Sequence, residues 1–102
     1  MSAPLDQIAL KLIRAEASRI RAIVTSSRWY LFGSILKDKR PINDIDLLVV
    51  CANAGDCGAV RLELGATCSE YPIHLLLMTF DEESEVKFIQ GQDAITLDKV
   101  KA

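Results

Sequence analysis

The sequence predicts an α/β (α+β) domain, a small mixed β-sheet of three to four strands with helices packed mainly on one face. Three observations carry that expectation. The first two dozen residues repeat apolar side chains at helical spacing, three later runs are apolar and strand-sized, and a helix-like segment lies between the second and third of those runs. A chain of 102 residues suffices for one core, so residues 1–102 are expected to form a single domain.

Leu5, Ile8, Ala9, Leu12, Ile13, Ile20 and Ile23 recur at three- and four-residue steps, interrupted by Glu16, which predicts an amphipathic helix over residues 4–24. Ser2 is placed to cap it and Pro4 suits its first turn, while Arg14, Arg19 and Arg21 fall on its solvated side. After the polar Thr25-Ser26-Ser27-Arg28, the run Trp29-Tyr30-Leu31-Phe32 reads as a buried strand ending at Gly33-Ser34. Residues 35–43, with Lys37, Asp38, Lys39, Arg40, Pro41 and Asn43, have a loop composition.

Asp44-Ile45-Asp46-Leu47-Leu48-Val49-Val50 is a second, central strand, broken by Ala52-Asn53-Ala54-Gly55-Asp56. Val60, Leu64 and Cys68 at four-residue steps suggest a helix over residues 57–69, weakened by Gly58 and Gly65. Ile73 to Met78 reads as a third strand. Thr79 and Glu82 have capping-box spacing and open a short acidic helix with Val86, Phe88 and Ile89 as apolar contacts, ended by Gly91-Gln92-Asp93. Ala94-Ile95-Thr96-Leu97 suits a short edge strand. A link of about nine residues between the first two strands fits an antiparallel hairpin. The third strand follows a helix, so it is expected parallel to the second.

Half the residues are hydrophobic and a quarter charged, which excludes a disordered chain. A formal charge of −2 argues against extended binding to nucleic acid through its phosphates. Cys51, Cys57 and Cys68 match no zinc spacing and sit in apolar surroundings, as inert buried thiols do. Asp6, Lys11 and Arg14 interrupt the N-terminal apolar run, against a signal peptide, and nothing approaches the ~20 apolar residues of a membrane span. A cytoplasmic protein without a membrane partner is expected.

Asp44 and Asp46 are two residues apart on the second strand, so both side chains share one face, about 6.6 Å apart along the backbone. Carboxylates that close repel one another unless a cation or hydrogen bonds compensate, and hard oxygen ligands suit magnesium completed by substrate phosphates. Exposed aspartates capping a turn are the plainer reading of an isolated Asp-x-Asp. Here Gly33-Ser34 ends the preceding strand, and a hairpin brings that end beside the aspartates. Glycine there admits close approach of a phosphate, and serine adds a hydroxyl and an N–H.

Leu31-Phe32-Gly33-Ser34, nine residues, then Asp44-Ile45-Asp46-Leu47-Leu48-Val49-Val50 resembles the signature of the DNA polymerase beta-like nucleotidyltransferase superfamily, in particular its minimal nucleotidyltransferases. The resemblance covers roughly residues 5–80, with only the 31–50 segment specific. It implies that Gly33 and Ser34 hold nucleotide phosphates and that Asp44 and Asp46 bind divalent metal, Mg2+ or Mn2+, with ATP or another nucleoside triphosphate as substrate. Lys37, with Lys39 and Arg40, lies between the two halves of the motif and could touch the triphosphate; solvated loop charges are the plainer reading.

The family supplies a third carboxylate from the strand after the next helix, and here the polar residue at that position is His74. Imidazole is a poor magnesium ligand but acceptable to manganese or zinc, and it can accept a proton near neutral pH. A structural histidine replacing a lost ligand is the alternative. Glu70, Glu82, Glu83 and Glu85 are further candidates for the missing carboxylate. Two functions follow: catalysis by Asp44, Asp46 and His74 of nucleotidyl transfer to a hydroxyl on a protein or nucleic acid, or an antitoxin-like binding subunit, weak or inactive, of a toxin–antitoxin pair. With no second domain to choose an acceptor, a protein partner or a homo-oligomer is expected.

Overall fold

In the computed structural model, which describes residues 5–36 and 44–100, the chain runs α1 (Leu5–Arg21), β1 (Arg28–Phe32), a 3-10 turn (Gly33–Leu36), β2 (Ile45–Cys51), α2 (Ala54–Glu70), β3 (Ile73–Thr79), α3 (Phe80–Val86), α4 (Phe88–Gly91), β4 (Ile95–Thr96) and a last 3-10 turn (Leu97–Lys99). Ser2 and Pro4 lie outside the described residues, as do Lys37, Lys39 and Arg40. The four strands form one mixed sheet in the order β3-β2-β1-β4. β1 pairs antiparallel with both β2 and β4, and β3 runs parallel to β2 after the α2 crossover. The small mixed sheet expected from the apolar runs is therefore present.

The core lies between α1, α2 and one face of the sheet. Ala9, Ile13, Ala17 and Ile20 of α1 meet Trp29 and Leu31 of β1, Ile45, Leu47 and Val49 of β2, and Val60 and Leu64 of α2. The buried stripe of α1 is rotated from the one expected. Ala17, not Glu16, continues the line from Ile13 to Ile20, while Ile8 is 42% exposed and Ile23, beyond the helix, 60%. Alanine keeps the helix axis close to the sheet, and Glu16 at the margin accepts from Arg19 at 2.5 Å. Arg19 also reaches Glu63 of α2 at 2.5 Å, and Arg14 donates to the Val100 carbonyl, so both join α1 to other elements.

α2 begins three residues before the predicted start. Asn53, read as part of a break, is its N-cap: the side chain accepts from the Asp56 N–H at 2.8 Å and satisfies an otherwise orphan donor. Trp29 is buried and donates its Nε1–H to Ser27 Oγ at 3.0 Å, and Ser27 in turn donates to Val24 O at 2.8 Å. Of the three cysteines, only Cys51 is fully buried; Cys57 and Cys68 are half-buried, and all three are free. Burial, reinforced by the neighbouring Cys57 and Asp56, pushes the Cys51 thiol up to about 12, and burial also raises Cys68. No helix among the described residues is long and apolar enough to cross a membrane.

The acidic helix after β3 opens on the expected capping box, with Thr79 Oγ accepting from Glu82 N–H at 3.1 Å and Glu82 Oε1 accepting from Thr79 N–H at 2.8 Å. It does not run through to Gly91. Lys87 adopts a left-handed conformation, φ 53°, which ends α3 and turns the chain into the single turn of α4. Val86 is consequently 60% exposed rather than an apolar contact, whereas Phe88 and Ile89 swing back towards the sheet and are half-buried.

Candidate functional site

Residues directly opposite one another in paired strands share a face. Trp29 and Leu31 face the core, so Arg28, Tyr30 and Phe32 point to the other side together with Val50, Leu48 and Asp46, their partners in β2. Parallel pairing adds Met78, Leu76 and His74 from β3 to the same face. At one end of that face lies a transverse row: His74 opposite Asp46, and Asp46 opposite Phe32. Adjacent members are a strand spacing apart, about 4.8 Å.

Asp44 immediately precedes β2 rather than lying within it, and its carboxylate still converges on the row. His74 sits between the two aspartates, Nε2 at 3.6 Å from Asp44 Oδ1 and Nδ1 at 3.5 Å from Asp46 Oδ1. The imidazole is 68% exposed, Asp44 46% and Asp46 26%, so the three form an open, solvent-accessible group. Pairing with Ile73 and the bond from Ile45 N–H to Pro72 O (2.8 Å) hold the starts of β2 and β3 together beneath them.

Gly33 completes the group from β1. Its φ of +81° lies in the left-handed region, and an added Cβ would overlap Oδ2 of Asp46 and stand 3.2 Å from its Cγ. The carboxylate thus occupies the place a side chain would take, which only glycine allows. Ser34 follows in the 3-10 turn, its Cα within about 9 Å of the Asp46 carboxyl carbon. A triphosphate can span that distance. Asp44, Asp46, His74, Gly33 and Ser34 therefore gather at one sheet end, and Lys37, the remaining candidate, lies outside the described residues.

Two of the four glutamates named as substitutes for a third carboxylate have other partners. Glu82 closes the capping box, and Glu83 Oε2 accepts from Ile89 N–H at 2.8 Å. No three His, Cys, Asp or Glu side chains among the described residues are arranged to hold a metal ion by themselves. Phe88, expected from the sequence only as an apolar contact of the short acidic helix, meets the Phe32 ring edge-on with centroids 4.9 Å apart. An aromatic immediately before the Gly-Ser pair was the available signal; its partner depended on the turn at Lys87. A concavity of about 810 Å3 lies along α1, lined chiefly by Ile8, Lys11, Leu12, Ala15 and Tyr71, none of them a candidate site residue. In comparisons with known proteins, no family model, no curated protein and no solved structure matches the chain.

Proposed function

We propose that the protein is a metal-dependent nucleotidyltransferase of the minimal kind, moving a nucleoside monophosphate from ATP or another nucleoside triphosphate to a hydroxyl on a protein or nucleic acid. The observation that supports this reading most is the Asp46 carboxylate lying over Gly33, with Asp44 and His74 converging on the same point. A phosphate approaching the Gly33-Ser34 turn meets bare backbone and a hydroxyl.

The donor set fits a divalent cation completed by its substrate. Magnesium is commonly held by one or two carboxylates plus phosphate oxygens, and Asp44 and Asp46 supply two carboxylates at an exposed edge. His74 in the third position tilts the set towards manganese, which tolerates imidazole. An ion bound there would polarise the α-phosphate and neutralise charge on the departing pyrophosphate. The acceptor oxygen bonds to the α-phosphorus as the bond to the β-phosphate oxygen breaks, and the hydroxyl proton passes to a base, the role proposed for His74 where its imidazole is not itself a metal ligand. The chain's own contribution is positioning and electrostatics. A cytoplasmic location, where nucleoside triphosphates are abundant, belongs to the same proposal, as does a protein partner or second copy that presents the acceptor.

A second reading is a binding subunit of antitoxin type, weak or inactive in catalysis. His74 where the resemblance leads one to expect a carboxylate is the observation in its favour. Incubating the full chain with α-labelled ATP and magnesium or manganese, with and without proteins encoded beside it, separates the two. Label on an acceptor, with pyrophosphate released, supports the transferase. Metal-dependent ATP binding with no transfer to any acceptor supports the binding subunit.

A further inference from the structure

Phe32 stands beside Asp46 in the sheet, Phe88 packs on Phe32, and neither is fully buried. Phe32 is the β1 residue opposite Asp46, one strand spacing away, and precedes Gly33 in the chain. Phe88 reaches it from the far side of α3 because Lys87 takes a left-handed conformation at φ 53°. A non-glycine residue rarely adopts that conformation. The corner is held by Lys87 N–H to Glu83 O at 2.7 Å and by Ile89 N–H to the Glu83 carboxylate at 2.8 Å. The fold thus fixes a strained corner whose outcome is an aromatic ring on Phe32.

The two rings meet at 85°, edge to face, and both residues are half-buried, so each keeps some contact with solvent. Such a contact occupies one ring face of the pair and leaves the others available. Below Phe32 the same sheet face continues in Tyr30 and in Leu48 and Val50, which are buried and back the rings rather than face solvent. A polar corner at Gly33, Asp44 and Asp46 therefore adjoins the two phenylalanine rings, which is the polarity sequence of a nucleotide from phosphate to base.

Resting on the nucleotide reading above, we infer that Phe88 and Phe32 form the base-binding wall of the site and that its preferred ligand is a purine nucleoside triphosphate, recognised by stacking. Stacking rewards ring area and is tolerant of the base's hydrogen-bonding edge. ATP and GTP then bind alike, and both bind more tightly than UTP, which carries the same triphosphate and ribose.

The test is equilibrium titration of the full chain with manganese or magnesium complexes of ATP, UTP and inorganic tripolyphosphate, in the wild type, Phe88→Leu and Phe88→Tyr. Stacking strengths place the expected loss of ATP affinity in Phe88→Leu at about five-fold or more, with tripolyphosphate unchanged and Phe88→Tyr close to wild type. ATP affinity unchanged in Phe88→Leu overturns the wall while leaving the phosphate–metal site standing. The wild-type comparison of ATP with UTP needs no variant and keeps the test decisive if Phe88→Leu does not fold; equal affinities also overturn the wall. Failure of ATP and tripolyphosphate alike to bind the wild type overturns the nucleotide reading itself.

Discussion

Replacing Gly33 by alanine attacks the local geometry at its most constrained point. The new Cβ meets two separate difficulties. At φ +81° an L-residue is disfavoured by roughly 1–2 kcal/mol, whatever space surrounds it. The Cβ also overlaps Asp46 Oδ2 and stands 3.2 Å from Cγ, so the carboxylate must leave its position. Since a carboxylate tip can rotate, the stability loss is set mainly by the backbone, about 1–2 kcal/mol, or a fall in Tm of roughly 5–10 °C for a domain of this size. The displaced carboxylate should cost metal-dependent ATP affinity ten-fold or more at ~1.4 kcal/mol per decade. Urea unfolding and calorimetric titration read the two effects separately. Asp46→Ala in the Gly33→Ala background should restore none of the backbone cost, which identifies its origin. Stability within about 0.5 kcal/mol of wild type, together with undiminished nucleotide binding, would refute the claim that Gly33 exists to make room for Asp46.

Two other outcomes follow from the same geometry. His74→Asp returns a third carboxylate beside Asp44 and Asp46 and should tighten magnesium binding about ten-fold while raising any magnesium-dependent transfer, as an added charged ligand does; unchanged binding and turnover by the same titration and transfer assay would make His74 structural. The Cys51 thiol, pushed up to about 12 by burial, favours the folded state fully below pH 9, where the unfolded thiol is also protonated, and that contribution is lost as pH rises from about 9 towards 12. Wild-type stability should therefore fall by up to about 1.4 kcal/mol per pH unit more steeply than that of Cys51→Ala across this window, and parallel denaturation profiles would contradict the burial argument.

Much of the fold was legible because apolar runs bounded by polar breaks specify strands whatever the tertiary context. Trp29 to Phe32, Ile45 to Val50 and Ile73 to Met78 are such runs, and linker length set the sense of each pairing. The α1 stripe was misread by one position since Ala17 contributes by smallness, which hydrophobic periodicity weighs lightly. The break at Lys87 was not legible at all: Glu-Val-Lys-Phe-Ile has the composition of a continuing helix, and a lysine in the left-handed region has no sequence signal. At the candidate site, the two-residue spacing pointed to Asp44 and Asp46 converging, although Asp44 lies just before β2 and strand alternation alone does not place it. The contact of His74 with both depends on the register across the α2 crossover, and the Phe32–Phe88 contact depends on the Lys87 corner; neither is a local property.

In the proposed function, Asp44 and Asp46 form a divalent-metal site for a nucleotide. Isothermal titration of ATP into wild type and into Asp44→Asn/Asp46→Asn, each with manganese or magnesium and again with the metal chelated, tests it most directly. Binding to wild type should be saturable and should vanish on chelation and in the double variant, whose circular dichroism and Tm remain those of a folded protein. ATP affinity that is the same with and without the two carboxylates would contradict it.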